Sequence, residues 1–156
     1  MSGRRVLAVA VAAAGAVVPV ALPATVHPFT ATYNGYGRGE VHGTTTSGSG
    51  VLTGRAKVIG PSTLTGSVSG AFVSRTCVDF GGTGVLKGKA GSLRLSAHGA
   101  TACAAGNPDT VGFSGRAVVV GGTGEFKGAH GTLRFAGTYL RQSESVTISF
   151  SGGVSY

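Results

Sequence analysis

From Phe29 onward apolar residues recur at every second position and no window holds a 3.6-residue apolar period, so the chain predicts strands rather than helices. Phe29, Ala31 and Tyr33 alternate at the head of a first strand over Phe29–Val41. The small, polar TTTSGSG of Thr44–Gly50 predicts a loop, and Val51–Ile59 a strand closed by the turn pair Gly60-Pro61. A long strand over Leu64–Val78 sets Leu64, Gly66, Val68, Gly70 and Phe72 against Thr65, Ser67, Ser69, Ala71, Val73 and Arg75. Ser92–His98 follows, with Leu93, Leu95 and Ala97 on one face. After a turn over Ala104–Thr110, the strand Val111–Val120 groups Val111, Phe113, Ala117 and Val119. Thr132–Arg141 aims Leu133, Phe135 and Tyr139 inward with Arg134 and Thr138 outward, and Ser143–Tyr156 ends the chain through Val146, Ile148 and Phe150.

That pattern gives about seven or eight antiparallel strands and little helix. The expected fold class is all-β: a small closed antiparallel barrel of about eight strands, whose interior is filled by side chains or holds one small ligand. Closure leaves no exposed edge. An open sandwich ranks second and a β-solenoid third, because two clear repeats are too few for stacked coils.

The repeat is the phrase FGGTGVLKGKAGSLRL (Phe80–Leu95), which returns forty positions later as VGGTGEFKGAHGTLRF (Val120–Phe135) with nine of sixteen residues identical. Gly81, Gly82 and Gly84, like Gly121, Gly122 and Gly124, permit positive φ where a strand bulges or turns, so the phrase reads as a structural corner used twice. Leu86 or Phe126 offers an apolar plug, and Gly88 with Gly91, or Gly128 with Gly131, a tight turn back into the sheet. As a cofactor loop it fails. No helix pattern follows Gly122-Thr123-Gly124, and Thr83 and Ala90 replace the first glycine and the hydroxyl residue of a phosphate-binding loop. No cofactor is expected.

A strand, GGTG, a bulky residue, a glycine shortly after and a second strand with Tyr139 near its end resembles the C-terminal half of dirigent proteins and of the wider allene oxide cyclase-like barrels, most clearly over Val119–Tyr139. The resemblance implies an eight-stranded antiparallel barrel, a homo-trimer, an apolar cavity and no cofactor. Secreted, glycine-rich bacterial proteins with this phrase also resemble that barrel group, many of them of unknown function. The family's activities, steering radical coupling and cyclising a reactive oxide, transfer to no residue here, because the shared motif is structural.

Composition places this barrel outside the cell. Arg4 and Arg5 precede an almost unbroken apolar run over Val6–Leu22 and the break Pro23-Ala24, so residues 1–24 read as a secretory signal and 25–156 as a single mature domain. A membrane anchor is the competing reading of that run; cleavage leaves no stable membrane span. Both the general and the twin-arginine route stay open, with Gly3 and Leu7 departing from the twin-arginine pattern. The two cysteines, Cys77 and Cys103, both fall in the exported part and imply one disulfide, whose loop of about 27 residues contributes about 3 to 4 kcal/mol on a chain-entropy argument. The formal net charge of +8 falls by two when Arg4 and Arg5 leave. A basic secreted protein is attracted to anionic cell-wall polymer, whereas scattered cations without interleaved aromatics and without Trp argue against nucleic acid.

Chemistry is sparse. The four histidines show no metal-ligand spacing, so no metal is expected. Asp79 beside Phe80 at a strand end, His130 in the slot of Ala90, Tyr139 and Arg141 are the candidate catalytic groups of a cofactor-free isomerase or cyclase. Tyr33, Tyr36, Phe135, Tyr139 and Arg141 are the candidate ligand-binding set, since Tyr139 and Arg141 share the parity of Leu133 and Phe135. Three functional expectations follow: binding of a small apolar molecule or a structural extracellular role, turnover in the barrel cavity, and attachment to wall polymer through the basic surface.

Overall fold

The computed structural model describes residues 23–104 and 106–156, so the leader expected over 1–24 lies, save Pro23 and Ala24, outside the described residues. Eight strands follow one another: β1 (Val26–His42), β2 (Thr45–Ala56), β3 (Gly60–Phe72), β4 (Cys77–Gly88), β5 (Gly91–Ala104), β6 (Thr110–Gly124), β7 (His130–Leu140) and β8 (Ser145–Ser155). Each pairs antiparallel with the next, and β8 pairs back onto β1 from Val26↔Ser155 to Tyr36↔Ser145, closing the barrel. The fold is the all-β, eight-stranded closed antiparallel barrel that the alternation predicts.

Three local expectations are corrected. Thr45–Gly50 is not a loop but the first half of β2: Thr45, Ser47 and Ser49 are exposed on the outer wall while Gly48 and Gly50 face the interior. Period-2 order is present there but carries no apolar side chain to announce it. The long strand Leu64–Val78 is two strands, broken at Val73–Thr76, where Ser74 Oγ accepts the backbone N–H groups of Thr76 (3.2 Å) and Cys77 (3.0 Å) and builds the turn.

The third correction concerns the repeat, whose copies fold differently. In the first, Gly81, Gly82 and Gly84 lie inside β4, none at positive φ. The ladder to β3 continues as far as Ser62↔Gly88, so strand conformation persists. In the second, Gly124 has φ 61° and ends β6 opposite Gly91, the first residue of β5. Beyond Gly124 there is no β5 strand to pair with, and the chain curls through Glu125–Ala129 on bonds such as Phe126 N–H to the Thr123 carbonyl at 3.1 Å. A separate bulge sits on β5, where His98 and Gly99 (φ 65°) give one residue more than either neighbouring strand supplies.

One end of the barrel is packed solid. Phe29, Leu86, Leu93, Val119, Leu133 and Val154 are all less than 2 % exposed. Phe126, from the curled turn, plugs this end against Tyr156, with ring centroids 5.0 Å apart, and Tyr156 stacks on His27 at 4.6 Å. Burying side chains of this size contributes about 1.5 to 3 kcal/mol each. The outer wall is rich in Ser, Thr and Arg, so this barrel inverts the pattern of one that faces lipid. Among the described residues no helix is long and apolar enough to cross a membrane.

Candidate functional site

The other end is hollow. Above a floor of Leu52, Leu64, Leu95, Ala117, Phe135 and Phe150 opens an apolar cavity of about 600 Å³. Its two sides are built differently. On β1–β4 seven lining positions are glycine, Gly37, Gly39, Gly48, Gly50, Gly66, Gly82 and Gly84, so backbone forms much of the wall between Val41, Val68, Phe72, Val78 and Phe80. On β6–β8 Val111, Phe113, Phe135, Tyr139, Val146 and Phe150 project inward. Phe135 is the hub of this aromatic side: its centroid lies 6.4 Å from those of Phe80 and Phe113 and 6.1 Å from that of Phe150. Offset and tilted rings at these separations attract and hold one another in place.

Interior glycines serve two ends. A Cβ on Gly54 would overlap the Thr32 carbonyl and the Tyr33 ring, and one on Gly137 the Phe113 ring, so these glycines let neighbours pack. A Cβ on Gly39 would meet nothing closer than the Ser47 carbonyl at 3.8 Å, and one on Gly84 would make ordinary to tight contact with Leu64 at 3.3 Å. These two leave room for something else.

Polar groups gather at the mouth. Strand β7 delivers Leu133 to the core, Phe135 to the floor and Tyr139 to the wall by strict alternation, and Arg141, one residue past its end, lies at the rim. Glu144, in the β7–β8 turn, has φ 54°, the one non-glycine residue at positive φ among the described residues. Its carbonyl accepts the Gly37 N–H at 2.9 Å and its carboxylate lies 3.6 Å from Arg38 Nε. The Arg141 N–H donates to the Asp109 carbonyl at 2.8 Å, and Gln142 Nε2 donates to Asp109 Oδ2 at 2.8 Å, fastening this turn to the β5–β6 connection. Arg141 itself enters no ion pair among the described residues.

Of the sequence-derived candidates, Phe135, Tyr139 and Arg141 line the cavity. Tyr33 does not: it is fully buried alongside the floor, its hydroxyl 2.6 Å from Ser62 Oγ, and its phenol is pushed above the usual tyrosine range by burial, an effect opposed by that hydrogen bond. Tyr36 has the opposite strand parity to Tyr139's inward position and stands 71 % exposed on the outer wall. Asp79 is exposed on the outer wall of β4 and accepts a hydrogen bond from Thr101 Oγ1 at 3.2 Å. His130 is exposed at the sealed end, with Nδ1 3.3 Å from the Gly128 carbonyl. The four candidate catalytic groups are therefore not one constellation; only Tyr139 and Arg141 share the cavity. Cys77 and Cys103 face each other across β4–β5 and are joined by the expected disulfide, their Cα atoms 4.1 Å apart. Among the described residues no group of three or more His, Cys, Asp or Glu is placed to hold a metal ion.

Sequence reasoning passed over Arg38, Glu144 and the glycine wall. The last had a visible signal: in GYGRG (35–39) and GSGVLTG (48–54) glycine occupies alternate positions in step with the flanking apolar residues. Compared with protein-family models, curated proteins and solved structures, the chain finds no match.

Proposed function

We propose that this protein is a secreted barrel that takes up a small apolar molecule in the open half of its interior. The observation that carries the reading is the cavity: about 600 Å³, in the range of small-molecule sites, mostly apolar and with its charged groups at the rim. Its packed floor and the open space over Gly39 fit a preformed binding site rather than a packing defect, because a Cβ at Gly39 would meet nothing closer than 3.8 Å. The disulfide and the leader-like residues 1–24 support action outside the cytoplasm. The likeness to dirigent and allene oxide cyclase-like barrels agrees with this reading and adds turnover as an alternative. That alternative draws on Tyr139 and Arg141, the two candidate groups inside the cavity.

Titration of the mature protein with 1-aminoanthracene, a small neutral fluorophore, tests the reading. Saturable, blue-shifted emission that disappears in Gly39→Leu, a substitution aimed into open space, is the expected result. Emission that never saturates, or that Gly39→Leu leaves unchanged, would count against it.

A further inference from the structure

On the outer wall, behind the cavity floor, Arg116 of β6 stands directly opposite Arg134 of β7. Both are exposed, and like charges facing each other across an antiparallel pair, with Cβ atoms about 4.5 to 5.5 Å apart, repel. Nothing nearby neutralises them. The whole of β6, β7 and β8 contains no Asp or Glu, and neither arginine enters an ion pair among the described residues. The flanking rows supply hydroxyls instead: Ser151 lies opposite Arg134, and Ser114, Ala136 and Ser149 form the adjacent row. Because Ala136, between Ser114 and Ser149 on the outer face, is small, the two guanidinium groups and the three serines border a shallow recess rather than a flat face.

We propose that this recess on β6–β8 is a binding site for a tetrahedral oxyanion, a phosphate group above all, held by Arg116 and Arg134 with Ser114, Ser149 and Ser151 as hydroxyl donors. Two guanidinium forks and three hydroxyls present more donors than the roughly four lone-pair sites of one carboxylate can accept. A phosphate offers three or four oxygens and up to two negative charges, which matches two arginines and a set of hydroxyls and removes the repulsion between the cations. The site opens on the opposite face of the sheet from the cavity, and its ligand is either the free anion or a phosphate ester carried on a polymer.

Titration of the mature protein with inorganic phosphate, followed by backbone and arginine side-chain NMR at constant ionic strength, tests the assignment. Saturable shifts are expected at Arg116, Arg134, Ser114, Ser149 and Ser151. The double variant Arg116→Gln/Arg134→Gln is expected to lose roughly tenfold or more in affinity, the loss attending removal of hydrogen bonds to a charged group. The charge-matched variant Lys87→Gln/Arg94→Gln should stay within about twofold of the unaltered protein, since its cations lie outside the recess. Cavity binding of 1-aminoanthracene, unchanged in both variants, shows that each is folded. Shifts spread over all cations without saturation, or equal losses in the two double variants, overturn the site. A parallel titration with poly(glycerol phosphate) identifies the source: affinity per chain that rises with the number of phosphates assigns the site to a polymer, and affinity per phosphate no better than that of the inorganic ion assigns it to the free anion.

Discussion

The Tyr33 hydroxyl on β1 reaches Ser62 Oγ on β3, 2.6 Å away, by passing its ring over Gly54 of the intervening strand. Ser62 Oγ also lies 3.1 Å from the Gly60 carbonyl, and in the pair with Tyr33 either hydroxyl can donate. This tie is half-buried beside the floor and joins β1 to β3, strands that share no ladder.

Tyr33→Phe is expected to lower stability by about 0.5 to 1.5 kcal/mol, the net worth of one such hydrogen bond. The raised phenol of Tyr33 also fixes the sign of an alkaline effect. Its contribution is fully present below the ordinary tyrosine value of 10.0 and is lost as pH rises through the higher folded value, because the unfolded chain ionises first. Urea unfolding of the two proteins between neutral pH and strongly alkaline pH checks this: the difference between them should narrow at the alkaline end.

The two kinds of interior glycine should respond oppositely to substitution. Gly39→Leu enters open space and is expected to change stability by less than about 1 kcal/mol, whereas Gly54→Ala drives a methyl into the Thr32 carbonyl and the Tyr33 ring and should cost about 1 to 3 kcal/mol. Thermal unfolding of both variants separates them, and equal losses would show that the glycine wall is structural throughout.

Cys77→Ser/Cys103→Ser is expected to cost about 2 to 4 kcal/mol. The bond clamps β4 to β5 at the mouth end, beside the Val73–Thr76 turn, so hydrogen exchange should quicken near Cys77 and Cys103 while Leu86 and Leu93 at the sealed end stay protected. Uniform loss of protection would contradict a local role for the clamp.

Glu144→Gly removes a side chain from the left-handed region and is expected to stabilise by roughly 0.5 to 1 kcal/mol. Glu144→Gln keeps the strain and breaks only the solvent-screened pair with Arg38, so it should shift stability by less than about 0.5 kcal/mol. Guanidinium unfolding of the pair distinguishes strain from charge.

The strand faces of Phe29–Tyr33, Leu93–Ala97, Val111–Val119 and Leu133–Tyr139 were legible because large apolar residues alternate there with polar ones. Where glycine took the inward position, as at Gly48 and Gly50, the same alternation was silent and a strand read as a loop. Phe135, Tyr139 and Arg141 could be placed in the cavity by parity along one strand, but Tyr33 and Tyr36 could not be separated from them. That required knowing where the floor lies and which face of β1 is outside.

By itself the sequence determined the all-β alternation, the inward set of β7 and the single cysteine pair, because each depends on near neighbours along the chain or on a count of two. Only the tertiary structure decided that one half of the barrel is sealed and the other hollow. It also decided that the two copies of GGTG take different shapes, and that Arg116 faces Arg134. These depend on which strand lies alongside and where its ladder stops, as β5 does at Gly91 opposite Gly124, and such register is written across the sheet rather than along the chain.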